Sequence, residues 1–439
     1  MEYTQNMDDY KKMLPALQQA KFGSYLILPY QCTEDGFDAA HAGEMLQEIP
    51  VDTLDLTEIA KSMMNEDGRM SIGRCFKIPR DVLIREMSGD AVSADIHSFF
   101  VETEGSRRHL DFHDSYLYVF HSNVAFFALG IIYDELEALS DTVNPGYANS
   151  RAAFSYDNEA GRHAFVIEEW IGRVTEKAGL RQFFESKGSP FLEAFIHTAA
   201  LVPERFPTIG VMRQVTFNLH LMTPLNDPDY DTSEEDVRFV YSVIDRSLDS
   251  YRWGVCVSSQ TISYVTADPN MDMEAEMRTQ ARASLPIVML ALYEKYTCLH
   301  FADLLATTDL RHLRNMQKLK TSMLEFQAYG TLAPANLSRW HNIKHIYADL
   351  LEVNDVPAAI SDIDHKINIL TEHQKEFEAE RAETVANIIT AFGIVSILAS
   401  VLSIIEILQG GITILWMSTV LTLLAIFMIF LIAVFRRRR

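Results

Sequence analysis

Two apolar runs, 387–408 and 412–435, stand back to back near the end of the 439-residue chain. Only Gln409, Gly410 and Gly411 separate them, and four arginines, Arg436 to Arg439, follow. Each run has about 20 residues, the length a helix needs to cross a hydrocarbon core of roughly 30 Å. Backbone in lipid must satisfy its own hydrogen bonds, which predicts a two-helix transmembrane hairpin with 409–411 as its outer loop. Arginines favour the cytoplasmic side, and a hairpin returns the chain to the side it left. The expectation is a multi-pass protein of the bacterial inner membrane with cytoplasmic N- and C-termini. The opening MEYTQNMDDYKK is polar and acidic, which predicts no signal peptide.

The formal net charge is −22. Setting aside the four tail arginines and Glu406 leaves 34 Lys and Arg against 59 Asp and Glu in residues 1–386. So acidic a region repels nucleic acid and anionic headgroups, and no direct nucleic-acid binding is expected. It can attract divalent cations; a well-solvated acidic surface accounts for the same composition. Cys32, Cys75, Cys256 and Cys298 are scattered without C-x-x-C pairs, which fits a reduced compartment and argues against a disulfide framework or a zinc site.

Residues 1–270 read as a cytosolic, ligand-sensing α/β domain. Strands are predicted at 24–30, 96–101, 116–120, 124–132 and 211–221, and a hairpin joins 253–257 to 261–265. The 116–120 and 124–132 strands are a second hairpin across His121, Ser122 and Asn123. Helical patterns lie at 39–47, 134–139, 160–186 and 234–249, so a sheet with helices layered on it is expected. From 271 the strand signals stop, and 271–386 reads as a helical stalk domain. Its helices are predicted over 271–306 with a kink at Pro286, over 310–328, and from Asn336 onward.

Val356, Ile360, Ile363, Ile367, Leu370, Gln374, Phe377, Arg381, Thr384 and Ile388 then alternate steps of four and three, a heptad seam that enters the first span unbroken. In a single chain this seam is expected to face water, which implies copies packed about an axis; pairing with the 310–328 helix is the alternative. In the first span, Gly393, Ser396, Ser400 and Ser403 fall within an arc of about 80°, with Asn387, Thr390 and Glu406 flanking it. These seven residues are the candidate pore lining of a homo-oligomer in the lipid bilayer. Close helix packing, with serines bonded to their own backbone, is the other reading of such a stripe. Glu406 repeated about an axis makes a negative ring at the outer mouth, or simply emerges into headgroup water.

An α/β cytosolic domain, a long stalk helix feeding the first of two C-terminal spans, a short outer loop and a basic tail together resemble the CorA family. The resemblance is architectural and strongest over 271–439. It implies a pentamer with a pore lined by the first span, carrying magnesium (Mg2+) or related divalent cations. The family's Gly-Met-Asn entrance is replaced here by Gln409-Gly410-Gly411, which resembles a divergent branch, the CorA-like membrane effector of type III CRISPR systems. That likeness implies a cytosolic domain that binds a nucleotide second messenger, a cyclic oligoadenylate or an adenylated S-adenosylmethionine, and then perturbs the membrane in antiviral defence. A divalent metal cation transporter with an altered entrance, gated by Mg2+ itself, is the alternative. A tail-anchored scaffold is a third.

No catalytic fingerprint such as G-x-x-x-x-G-K-[ST] or H-E-x-x-H occurs, so no enzyme is expected. Asp227, Asp229 and Asp231 resemble the start of a calcium loop, but Thr232 and Arg238 break it, and Thr232 with Glu235 suits a capping box. His109, Asp111 and His113 alternate, as metal ligands on one strand face would. Arg107, Arg108 and His109 form a cationic cluster suited to an anionic messenger, or a solvated loop.

Overall fold

The computed structural model describes residues 2–33, 37, 43–64, 71–89, 98–103, 105–143, 153–159, 161–183, 191, 194–226, 237–242, 250–307 and 313–409. The first third carries α1 (Glu2–Leu17), β1 (Lys21–Cys32), β2 (Gln47–Glu48), α2 (Glu58–Met63), β3 (Gly73–Ile78), α3 (Arg80–Ser88), β4 (Ser98–Thr103), β5 (Ser106–Phe112), β6 (Ser115–Phe120), β7 (Val124–Tyr133) and α4 (Leu136–Val143). There follow β8 (Ala153–Asn158), β9 (Gly161–Phe165), α5 (Ile167–Lys177), β10 (Leu180–Gln182), β11 (Phe195–Val202), α6 (Ile209–His220), β12 (Arg238–Tyr241), β13 (Trp253–Val257) and β14 (Thr261–Ala267).

These strands join one sheet in the order β12-β13-β14-β11-β1-β7-β5-β4-β8-β9, with β10 beside β1 and a β2-β3-β6 branch on β7. Every pair is antiparallel except β11 with β14. The mixed α/β sheet domain expected from the sequence is thus present. The 253–257/261–265 and 116–120/124–132 hairpins form as read, in registers Trp253↔Thr266 and Tyr116↔Ala128. β1 tolerates Pro29 because its partners on one side are β11 up to Ile27 and β10 from Tyr30, so Pro29 falls between them.

Alternation along β1 decides which layer each side chain enters. Phe22, Leu26, Leu28 and Tyr30 join the core with Tyr10, Met13 and Leu17 of α1 and Val211 and Val215 of α6. Tyr25 points the other way, and its hydroxyl donates to the Met277 carbonyl at 3.0 Å.

Some elements differ from the sequence expectation. The 211–221 segment is helix α6, not a strand: Thr208 caps it by accepting from the Val211 amide, and Val211, Met212, Val215 and Leu219 are buried at helical spacing. Its β-branched and aromatic content imitates a strand because the helix is covered on most sides. The 160–186 helix is β9, α5 and β10 instead. Of the expected 39–47 helix, 43–47 form instead a short 3-10 turn (Gly43–Met45) leading into β2, and the rest lies outside the described residues, as does most of 234–249, although 238–241 is strand β12.

The helical part contains α7 (Met273–Ala283), α8 (Leu285–Thr307), α9 (Leu313–Glu325), a π-helical turn (Phe326–Gly330), α10 (Pro334–Leu337), α11 (His341–Val353) and α12 (Val356–Gln409). The expected kink is a break at Ser284, which leaves Pro286 in the first turn of α8, where a missing N–H costs no bond. α8 lies on the sheet, with Tyr293 stacked on Phe120 at 4.3 Å and Tyr296 edge-on to Phe126 at 5.4 Å. Contacts divide the chain into two compact units, Met1–His365 and Lys366–Arg439, so the sheet and α7–α11 share one unit.

Candidate functional site

α12 is 54 residues long, roughly 80 Å at 1.5 Å per residue. It runs without interruption from Val356, the start of the heptad seam, into the first apolar run, as the seam predicts. Among the described residues it is the one helix long and apolar enough to cross a membrane, and none of its apolar window is buried. The second run, 412–435, the outer glycines and the tail arginines lie outside the described residues.

The seam changes character along its length. Val356, Ile363, Ile367 and Leu370 are buried within the single chain, whereas Phe377 and Ile388 are 44% and 38% exposed. The expectation that the whole seam faces water is therefore corrected for its first part, whose early turns pack against their own chain; Gln327 of the π-helical turn donates to Asp364 at 3.1 Å. From Glu372 to Val401 no residue is buried. Its apolar part, from Asn387 onward, is stable only in lipid or against other chains.

Along that stretch Asn387, Thr390, Gly393, Ser396 and Ser400 are all exposed. The hydroxyls of Thr390 and Ser400 donate to the carbonyls four residues earlier, Ala386 and Ser396, each at 2.8 Å. Their protons are thus satisfied inside the helix, and their lone pairs face outward. A Cβ added at Gly393 would meet nothing within 4 Å. Ile394, Ile397, Leu398 and Val401 stand exposed on the same helix. The side chains of Ser403 and Glu406 lie outside the described residues.

Arg107, Arg108 and His109 sit on β5, and the pleat sends neighbours to opposite faces. Arg107 lies 3.5 Å over the Phe100 ring and pairs with Glu102 at 3.2 Å and Asp157 at 2.6 Å. Arg108 turns to the other face and pairs with Asp141 at 2.7 Å. His109 Nδ1 lies 2.9 Å from an Asp134 carboxylate oxygen. The three side chains of the sequence cluster therefore do not converge as one fork: each is met by carboxylates, and the two arginines tie β5 to β4, β8 and α4.

The alternating His109, Asp111 and His113 do not meet either. Asp111 pairs with Arg80 at 2.6 Å, and His113 is buried beyond the end of β5. Among the described residues no group of three or more His, Cys, Asp or Glu side chains converges to hold a metal. Asp227, Asp229 and Asp231 lie outside the described residues.

Sequence reasoning passed over Glu294, a lone carboxylate inside the apolar run of α8. It is 3% exposed and accepts from the Tyr347 hydroxyl at 2.6 Å. A single acid among fourteen buried residues of one helix was the available signal. No family model matches the chain, and no curated protein matches it.

Proposed function

We propose that this chain is a subunit of a CorA-like homo-oligomeric membrane channel, or membrane effector, controlled by a ligand bound to its cytosolic α/β domain. One observation carries the reading: α12 leaves the compact unit as an unbroken helix and is bare, apolar and lipid-compatible where its seam opens. Copies associated along Phe377, Thr384 and Ile388 cover the open seam. In such a bundle the arc of Gly393, Ser396 and Ser400 is the face turned toward an axis, with Asn387 and Thr390 at its approach, while Ile394 and Leu398 lie on the opposite side and meet lipid. Outward lone pairs on Thr390 and Ser400 suit a hydrated cation path. Under this reading the protein is a multi-pass membrane protein with its α/β domain and both termini in the cytoplasm, Ser403 and Glu406 continue the lining, and five subunits follow from the family resemblance alone.

The resemblance also supplies the ligand class, a nucleotide second messenger. The paired state of Arg107 and Arg108 directs the search for its phosphates to other cations. Reconstitution in liposomes tests the proposal. Ion efflux triggered by a cyclic oligoadenylate or an adenylated S-adenosylmethionine is the expected result. Magnesium uptake without nucleotide selects the divalent-cation transporter instead, and a monomer with no flux under either condition reduces the chain to a tethered scaffold.

A further inference from the structure

Three consecutive residues of α8 grip the segment from which α12 springs. Tyr293, stacked on Phe120, fastens α8 to the sheet. Glu294 uses one carboxylate oxygen, Oε1, to accept both from the Tyr347 hydroxyl of α11 at 2.6 Å and from the Leu332 amide at 3.0 Å. Lys295 Nζ donates at 2.8 Å to Oδ1 of Asn354, the residue that ends α11. Asn354 in turn donates through Nδ2 to the Leu350 carbonyl at 2.8 Å. The next residue, Asp355, is left-handed at φ +54°, and its carbonyl accepts the first bond of α12 from the Ala359 amide at 3.0 Å. Val356 is 1% exposed.

Both donors to Glu294 fall on Oε1. That leaves Oε2 free to carry a proton without breaking either bond. An ionised carboxylate at 3% exposure, with no cation bonded to it among the described residues, is costly. Burial accordingly pushes this carboxyl up to about 7. The tyrosines and the cysteine that face it stay neutral in that range. Burial raises Tyr293 on the same helix and Tyr347 on α11, and takes Cys298, one turn on, to about 12. Lys295 is turned to Asn354, with Asp355 the carboxylate acting on it, and Asp362 of α12 acts on Cys298. The π-helical turn and the 331–333 segment contribute Phe326 and the Leu332 amide.

We propose that Glu294 is a proton-operated latch on the α11–α12 joint: the neutral acid holds Tyr347 and Leu332 closed around it, and ionisation opens the pocket to water and frees the joint. The direction follows from linkage. The closed pocket binds a proton more tightly than an open one does, so rising pH favours opening. The latch concerns only the joint; its consequence for conduction rests on the channel reading above.

The test uses the full chain in nanodiscs, with two readouts that need no ion flux. The wild type is expected to show an infrared band of a protonated carboxyl that titrates near pH 7. Exchange protection of the α11 amides, corrected for intrinsic rates, is expected to fall about tenfold between about pH 6 and about pH 8. Glu294→Gln, permanently neutral, should lack the band and keep its protection across that range. Should the glutamine variant misfold, Tyr347→Phe removes a donor that favours the ionised form, and the band should titrate at higher pH. The proposal is overturned by a titrating band that survives in Glu294→Gln, by α11 protection independent of pH in the wild type, or by a Tyr347→Phe midpoint that does not move. Because neither readout measures transport, a silent latch leaves the channel reading standing, and silent liposomes leave the latch standing.

Discussion

His197 on β11 has no exposed surface; its Nε2 lies 2.9 Å from the Ser284 hydroxyl, and its ring stacks on Tyr264 at 5.3 Å. Burial pulls it down to about 4 and does the same to His220. Both folded values lie below the ordinary histidine value of about 6.5, so the unfolded chain takes up protons that the folded one refuses. Their contribution is complete above about pH 6.5 and is lost as pH falls toward 4, on the order of 3 kcal/mol for each residue. Thermal unfolding should therefore move to lower temperature over that window, and His197→Gln should flatten the slope. Glu294 has the opposite sign: its folded value is raised, so its contribution is present at low pH and fades as pH rises through about 7. Asn123 poses a backbone question. It sits at φ +68° in the β6–β7 turn, where its amide donates to Phe120 and its carbonyl accepts from Cys32, each at 3.2 Å. Asn123→Gly should leave stability nearly unchanged, whereas Asn123→Val should cost about 1–2 kcal/mol in denaturant unfolding, because a β-branched residue resists the left-handed region.

At the scale of elements, α12 couples the compact unit to the bare apolar stretch only while it stays one helix. Ala382 is exposed midway between Leu370, the last buried seam residue, and Ile394. A proline there removes one helical bond and clashes with the preceding turn, at a cost of about 3 kcal/mol. If the proposed nucleotide gating holds, Ala382→Pro should leave the nucleotide-induced thermal shift of the α/β domain intact while abolishing nucleotide-triggered flux from liposomes. Equal flux in the variant and the wild type would mean that α12 relays nothing. This helix was legible in the sequence because steps of three and four repeat from Val356 to Ile388 with no glycine and with its one proline, Pro357, in the first turn. The two hairpins were legible because short turns separate β-branched, aromatic runs. α6 was not, because a helix buried on most sides loses its polar stripe and keeps only its strand-like composition. The candidate sites fared less well for a related reason. Adjacency of Arg107 and Arg108 says nothing about direction until the strand pleat parts them. The grip of Glu294 on Tyr347 and Leu332 joins positions 38 and 53 residues apart, which no local pattern announces.

At the scale of the whole molecule, conduction requires that one face of α12 meet water inside the bilayer while its other faces meet lipid or protein. Thiol chemistry reads this directly, because modification needs a thiolate and thiolates form in water, not in hydrocarbon. The chain is suited to the experiment as it stands. Cys32, Cys75, Cys256 and Cys298 are all buried, and burial raises Cys32 to about 11 and Cys75 and Cys298 to about 12, with Cys256 raised further. Background labelling of the native protein should therefore be slow. In membranes, Ser396→Cys and Ser400→Cys should react with a charged, water-soluble thiol reagent at least about tenfold faster than Ile397→Cys and Leu398→Cys. Gly393→Cys should join the reactive set, since it shares the helix face of Ser396 and Ser400. If a nucleotide controls the path, its addition should change the rates at the serine positions and leave the isoleucine and leucine positions unaffected. Uniformly slow reaction at Ser396, Ser400 and Gly393 would instead assign the small residues to close helix packing. The hydroxyl bonds to Ala386 and Ser396 would then be the whole of their chemistry, and the membrane segment would be an anchor.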